Sequence, residues 1–217
     1  MERRSLKREY VAVIAAMLLV AAGVLTSGGA ATAGDPPNAV AEVRNTAGTL
    51  LGKVKFSPTD DGKVLVKLAL TGLSPGFHGF HVHNTGTCNP TATDAAGASS
   101  PFFTAGGHYN PGATTHGAHG GDMPPVLVNG DGTASMRFET DRFSIPTLLS
   151  GDGSALIVHA GPDNLAHIPA STATGSPRYH SHSETDVAYT FGPDLATKAT
   201  GDAGARFGCG IVSSVSD

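Results

Sequence analysis

The segment GFHGFHVHNTGTC, which runs from Gly76 to Cys88, places three histidines among residues with the character of a β-strand. Residues two apart in a strand point to the same face of the sheet, so His81 and His83 would present two imidazoles side by side. A neutral imidazole is a good ligand for copper, zinc, nickel or iron. Two histidines on a solvent-facing strand are the alternative, and this segment alone leaves both open.

Other segments of the chain also have the pattern of short strands. Val64, Val66, Leu68 and Leu70 fall on one face of such a strand. Further strand-like segments lie at residues 40–46, 50–58, 76–84, 126–143, 154–160 and 207–214, the fourth of these as a hairpin around a Gly-Asp-Gly turn. With 29 glycines, 14 prolines and no convincing helical pattern, the chain is predicted to be all-β.

The expected architecture is an antiparallel sandwich or flattened barrel of about eight strands. Two long connections, residues 85–125 and 160–205, separate the strand-like segments. Loops of this length without secondary structure of their own are usually functional or disordered. We therefore expect the chemistry of the protein to lie in these two loops.

The first residues have the organisation of a secretory signal peptide. Four basic residues precede the uncharged apolar run Val11–Leu25, and the small residues Ala31-Thr32-Ala33 follow it. An uncleaved membrane anchor is the alternative, but the run is shorter than the ~20 residues of a typical spanning helix. The predicted organisation is a signal peptide (1–33), a leader (34–39) and one domain (40–217), exported to the cell envelope, the periplasm or the extracellular space.

The net charge limits the partners that the protein could bind, and the two cysteines suggest a disulfide. Residues 1–33 contain four basic and two acidic residues, so their removal takes the formal net charge from −4 to about −6. That charge argues against nucleic acid and against a membrane partner after signal cleavage. Cys88 and Cys209 form an even pair in an exported chain and are most simply a disulfide, with free thiols or metal ligands as the alternatives.

A second group of metal-binding residue types lies in the segment AGGHYNPGATTHGAHGGD, residues 105–122. It contains His108, His116, His119 and Asp122. Three imidazoles and one carboxylate make a closed tetrahedral set of the kind that structural zinc requires, whereas a solvated histidine-rich loop is the alternative. His159 ends a strand-like segment, and with His81, His83 and one loop histidine it would make a four-imidazole set suited to Cu(II).

Together these segments resemble the Cu,Zn superoxide dismutases of the bacterial exported type. The resemblance extends from about Val40 to Ser213 and rests on five blocks in the family's order: GFHGFHVH, GGHYNP, HGGD, IVHAGPDN and GDAGARFGCG. Each block is a weak signal alone, but five in order with a matched cysteine pair are highly specific. The fold implied by the resemblance is an antiparallel Greek-key β-sandwich, or flattened barrel, with two long functional loops.

The resemblance implies a role for each matched residue. The copper ligands would be His81, His83, His108 and His159, and the zinc ligands would be His108, His116, His119 and Asp122, with His108 bridging the two metals. Asp163 would hydrogen-bond one copper and one zinc histidine. Arg206 would dock the substrate anion beside the copper, and Thr200 would narrow the channel opposite it. Cys88 and Cys209 match the family disulfide, and His78 matches a structural histidine.

Two features depart from the family pattern. His116 and His119 are only three positions apart, whereas many family members separate these ligands by a longer segment, so the occupancy of the zinc site is not fixed by the sequence. The second long loop carries extra sequence at residues 166–192, whose role is not assigned. His167, His180 and His182 match no family position and are expected to be surface histidines.

The function implied by the resemblance is disproportionation of superoxide to oxygen and hydrogen peroxide, as antioxidant defence outside the cytoplasm. His108 and Arg206 would be the catalytic residues, and copper and zinc the cofactors. The alternative is a non-enzymatic copper or zinc carrier on the same scaffold. An anion-docking arginine at position 206 favours the enzyme, because a carrier has no use for it. The sequence does not distinguish a monomer from a dimer.

Overall fold

The structure is a computed structural model that describes residues 38–168 and 192–215. Nine strands form within these residues. They are β1 (Ala39–Asn45), β2 (Leu50–Pro58), β3 (Val64–Leu70), β4 (Gly76–His78), β5 (Phe80–His83), β6 (Val126–Val128), β7 (Ala134–Thr140), β8 (Ala155–His159) and β9 (Arg206–Ser214). The proposed signal peptide and most of the proposed leader lie outside the described residues.

Seven of the strands form one curled antiparallel sheet in the order β5-β8-β9-β1-β2-β3-β7. β4 and β6 pair separately, also antiparallel. The first and last strands of the chain are neighbours, with Val40 opposite Ser213. This architecture confirms the predicted all-β antiparallel fold.

The sheet buries one face of each long strand, as the period of two requires. In β3, Val64, Val66, Leu68 and Leu70 are all buried. The large, fully buried apolar side chains include Phe56, Phe80, Leu148 and Leu156. They form one core with the inner face of β1 and β2 and with the half-buried Met136 and Phe138 of β7. This core fixes the strands that carry the histidines.

The segment GFHGFHVHN, expected as a single strand, is divided at Gly79 into β4 and β5. The Gly79 amide donates to the Gly161 carbonyl (2.9 Å), and its carbonyl accepts from the His159 amide (2.8 Å). A Cβ at this position would lie 2.5 Å from Cβ of Ala203. Ala203 of the second long loop therefore lies too close to Gly79 for a side chain to fit at this position.

The expected hairpin at residues 126–143 has the predicted turn but not the predicted pairing. Asn129 donates to the carbonyl of Thr133 (2.8 Å), and Gly132 has a φ of 80°. However, β6 pairs with β4, and β7 pairs with β3. The turn thus passes the chain from one sheet to the other.

Within the described residues, the connections contain two short α-helices that the sequence did not predict, α1 (Ile145–Leu149) and α2 (Leu195–Thr200), and a 3-10 turn at Phe103–Ala105. Each α-helix has a side-chain N-cap, since Ser144 accepts from the Thr147 amide and Asp194 from the Thr197 amide. Helices of five or six residues are too short to produce a recognisable 3.6-residue period.

The disulfide predicted between Cys88 and Cys209 is present. It joins the first long loop to β9 across 121 positions of sequence. A search of the described residues for a helix long and apolar enough to cross a membrane finds none.

Candidate metal centre

Strand β5 is an edge strand, and the first long loop lies along its free side. Val82 donates to the Gly121 carbonyl (2.9 Å) and accepts from the Tyr109 amide (2.8 Å). Bridge pairings set His83 opposite His108 and His81 opposite Asp122. The loop thus satisfies the backbone of an exposed edge and carries its own histidine and aspartate to the two strand histidines.

Four buried histidines converge at this edge: His81, His83 and His108 with His159 of the adjacent strand β8. Each offers one ring nitrogen, and these four atoms lie within 4.8 Å of one another. The rings of His81 and His108 stack, with their centroids 4.1 Å apart. These are the four residues that the sequence assigns to copper.

Hydrogen bonds fix the orientation of three of these rings. His81 Nε2 donates to Asp163 Oδ2 (2.7 Å), and His83 Nδ1 donates to the Gly106 carbonyl (2.9 Å). His159 Nδ1 donates to the Gly204 carbonyl (2.9 Å). A ring nitrogen that carries the proton leaves the other with a free lone pair, so these bonds define which nitrogen can bind a metal.

The second nitrogen of each of these rings is buried without a hydrogen-bond partner: His81 Nδ1, His83 Nε2 and His159 Nε2. Burial lowers the pKa of His81 to about 4 and that of His159 to about 3, and it holds the pKa of His83 well below its ordinary value. Unpaired buried polar atoms are costly, and neutral imidazoles with converging lone pairs are what a copper ion requires. The donor set therefore fits copper.

A second convergence surrounds Asp122. Its Oδ1 lies 2.8 Å from His108 Nδ1, 3.2 Å from His116 Nδ1 and 3.3 Å from His119 Nδ1. The Nδ1 atoms of His119 and His108 are 3.3 Å apart. Four ligands at zinc–ligand distances of 2.0–2.1 Å in a tetrahedron would be about 3.3 Å from one another. The spacing and the donor types therefore fit zinc.

His81 and His119 contact this second cluster in different ways. A group of donors within 4.8 Å of one another includes His81 with His108, His116 and Asp122, because the two clusters share the His108 ring. His81, however, commits Nε2 to Asp163. His119 presents Nδ1 at 3.3 Å from both Asp122 and His108, as the set that the sequence assigns to zinc requires.

The carboxylate of Asp163 connects the two clusters. Its Oδ2 accepts from His81, and its Oδ1 accepts from His116 Nε2 (2.8 Å). Burial alone would lower the pKa of His116, but Asp122 and Asp163 outweigh it and raise that pKa to about 9. Gly201, with a φ of 62°, leaves room for this pair, since a Cβ there would overlap Asp163 Oδ1.

Arg206 begins strand β9 beside the copper cluster, directly across the sheet from His159. Its Nη1 donates to the Phe102 carbonyl (2.6 Å), and its Nη2 donates to the Gly106 carbonyl (2.7 Å). The Gly106 carbonyl also accepts from His83, so one backbone oxygen orients both the arginine and a copper-cluster ring.

The remaining sequence-predicted residues lie around this centre. Thr200 is exposed at the end of α2, where its hydroxyl donates to the Ala196 carbonyl (3.0 Å). His78 is buried and donates from Nδ1 to the His159 carbonyl (2.7 Å). His167 is exposed, and its backbone amide donates to the Asn164 carbonyl (2.9 Å). His180 and His182 lie outside the described residues.

Sequence reasoning named Asp163 but missed the backbone carbonyls that orient His83, His159 and Arg206. The acceptors at Phe102, Gly106 and Gly204 are backbone carbonyls, which every residue possesses. A side chain that reaches the zinc cluster from outside the loop, Arg142, was also missed. No local pattern marks either kind of contact.

Comparison with known proteins gives a family match. The family model for copper/zinc superoxide dismutase (SODC) matches residues 50–212. Superoxide dismutase [Cu-Zn] of Mycobacterium tuberculosis is 41% identical over 171 residues, which is 77% of this chain and 66% of that protein. The chain thus spans slightly less than two thirds of that relative. The Escherichia coli K12 enzyme is 39% identical over 141 residues, 61% of this chain and 77% of that protein.

Solved structures give the same result. The Cu/Zn superoxide dismutase from Brucella abortus superposes with a TM-score of 0.56 at 27% identity, covering 80% of this chain and 98% of that one. A double mutant of a SOD-like protein from Bacillus subtilis superposes with a TM-score of 0.57 at 25% identity, covering 79% and 95%. The chain therefore belongs to the copper/zinc superoxide dismutase family, and copper and zinc are the metals of its histidine-rich centre.

Proposed function

We propose that this chain catalyses the disproportionation of superoxide to oxygen and hydrogen peroxide. The observation that carries the proposal is Arg206 fixed by two carbonyls beside the unpartnered nitrogens of the copper cluster. A planar, permanently charged guanidinium at such a place suits a small anion. The family match supports the same reaction.

Copper held by His81, His83, His108 and His159 would supply one-electron redox chemistry, and zinc held by His108, His116, His119 and Asp122 would order the loop. The residues of the chain bind the anion and transfer a proton to it. Arg206 docks superoxide at the cluster through its guanidinium. His108, whose Nδ1 faces Asp122, would take up a proton at Nε2 and deliver it to the second superoxide, while water would supply the other proton of hydrogen peroxide. Two superoxide anions and two protons thus give one oxygen and one hydrogen peroxide.

The chain's charge makes local docking necessary. A net charge near −6 after signal removal repels an anion at long range. The low-dielectric protein around the cluster focuses the positive electric field of Arg206 and of the metals at this point. Local attraction at this point can therefore overcome the repulsion from the rest of the surface.

A metal carrier on the same scaffold is the competing function, and one experiment separates the two. Protein loaded with copper and zinc should accelerate superoxide decay after pulse radiolysis in proportion to its copper content. The carrier would hold both metals, yet superoxide would decay no faster than with the same copper chelated in solution. That second result would overturn the proposed enzyme.

Replacement of Arg206 by isoleucine tests the docking role. The rate constant for superoxide should fall about tenfold or more, equivalent to ~1.4 kcal/mol of lost stabilisation. Arg206→Lys should keep part of the rate, because the charge remains while the planar fork is lost. Pulse radiolysis at matched copper content measures both.

The matched control for Arg206 is Arg137→Ile. Arg137 is exposed on β7 at the far edge of the sheet, so this change removes the same charge without touching the cluster. Its rate should equal that of the parent protein. An Arg206→Ile rate equal to that of the control would exclude docking and leave Arg206 only its two carbonyl contacts.

We also propose that the chain is exported and that residues 1–33 are removed. The basic, apolar and small-residue order of that segment supports export, as does a disulfide, which persists in oxidising compartments. Mass spectrometry of the protein from the exported fraction should find an N-terminus at Gly34. An intact N-terminus in the membrane fraction would instead indicate the uncleaved anchor.

A further inference from the structure

The short segment between His116 and His119 is held to Asp122 through its amides. The Gly117 amide donates to Asp122 Oδ2 (2.7 Å), and the His119 amide donates to the same oxygen (3.0 Å). Oδ1 of this carboxylate faces the three imidazoles. One aspartate thus orders both the ligand rings and the backbone that carries two of them.

Two carbonyls of the same segment are held by Arg142. Its Nη1 donates to the Gly117 carbonyl (3.2 Å) and to the His119 carbonyl (3.3 Å). Arg142 lies just after β7, more than twenty positions away in sequence. Among residues 38–168 and 192–215 it forms no ion pair with a carboxylate, so these carbonyls are its charge-assisted contacts.

We propose that Arg142 is a positioning residue for zinc. It joins the segment from Gly117 to His119 to the barrel, and so presents the His116 and His119 rings to the metal in one arrangement. Only Gly117, which is left-handed (φ 85°), and Ala118 lie between the two histidines, so polar contacts rather than apolar burial must order the segment. The inference rests on the proposed zinc set of His108, His116, His119 and Asp122.

The loss of this contact should weaken zinc binding more than it weakens the fold. Without Arg142 the two carbonyls turn to water, and the ligand rings must be ordered when the metal binds. Groups that orient metal ligands typically contribute 10–100-fold to metal affinity. Because both contacts are long and one is exposed, the expected effect is at the lower end, about tenfold.

The test compares Arg142→Met with Arg142→Lys and with Arg137→Met in the full exported chain. Zinc dissociation constants come from competition with a chromophoric chelator, and cobalt(II) serves as a spectroscopic probe of the zinc set. Arg142→Met should raise the zinc dissociation constant about tenfold and change the visible cobalt bands. Arg142→Lys should restore part of the affinity, and Arg137→Met should match the parent.

The melting temperature of the metal-free proteins separates positioning from general stability. It should be nearly the same in Arg142→Met and Arg137→Met. A lower metal-free melting temperature with parental zinc affinity and parental cobalt bands would overturn the proposal. If Arg142→Met does not fold, parental zinc affinity and cobalt bands in Arg142→Lys would overturn it. If the parent itself binds no zinc, these four residues are not a zinc site, and the proposed role of Arg142 is also wrong.

Discussion

Replacing His81 with alanine is expected to remove copper from the centre and to reduce superoxide disproportionation more than a thousandfold, equivalent to over ~4 kcal/mol. The ring is fully buried and holds Nδ1 toward the other three imidazoles, while its Nε2 donates to Asp163. Alanine deletes a ligand and also one of the two imidazole contacts of that carboxylate. Three remaining imidazoles, one of them also committed to zinc, cannot hold copper as well as four.

The measurement pairs copper content by atomic absorption with pulse radiolysis at equal protein concentration. Circular dichroism should show that the sandwich persists, because the core formed by β1, β2 and β3 does not include His81. The control is His167→Ala, which removes an exposed imidazole elsewhere in the chain. Full activity in His81→Ala with verified copper loss would contradict the assignment of the activity to copper at this site.

The strand histidines could be predicted because the evidence for them is local. His81 and His83 are two apart, and a strand with a period of two brings them to one face whatever the rest of the fold does. Val64 to Leu70 were predicted as a strand for the same reason, and their alternate side chains are buried. The correct predictions of strands therefore came mostly from the spacing of residues within a single strand.

The contacts that divide and orient these elements are long-range and could not be predicted. Gly79 ends β4 because the loop residues Gly161 and Ala203 approach its backbone. Nothing near Gly79 in sequence reveals that approach. Likewise, β6 resembles one arm of a hairpin locally, yet its partner is β4, because pairing is decided by the layers that the whole chain forms.

The orientations of the histidine rings could be predicted only in part. Asp163 could be predicted as a partner of the rings only through the family pattern, and it lies within hydrogen-bond distance of both His81 and His116. The carbonyls of Gly106 and Gly204 carry no residue identity that a pattern could detect. A sequence can thus identify candidate metal ligands before it identifies the groups that orient them.

The second large effect is expected at Asp122, where alanine should weaken zinc binding more than a hundredfold. Loss of an orienting group alone typically costs 10–100-fold, and Asp122 combines that role with a ligand position. Its Oδ1 faces three imidazoles, and its Oδ2 accepts the Gly117 and His119 amides. Alanine removes all of these contacts together, so the segment loses both its metal and its internal support.

The same change should appear as a loss of stability that depends on zinc. At a free zinc concentration one hundred times the parent's dissociation constant, binding adds about 2.7 kcal/mol to the free energy of unfolding. Asp122→Ala should lose most of that increment at the same zinc concentration. Denaturant unfolding with and without zinc measures it, and hydrogen exchange should show faster exchange at residues 105–125.

Two further variants show whether the carboxylate or merely a side chain is needed at this position. Asp122→Asn keeps the shape and one oxygen but removes the charge, so its zinc affinity should lie between those of the parent and the alanine variant. Asp60→Ala removes an exposed aspartate after β2 and should leave zinc binding unchanged. If Asp122→Ala gains as much stability from zinc as the parent does, zinc does not bind at this cluster. The order of the segment would then depend on protein contacts alone.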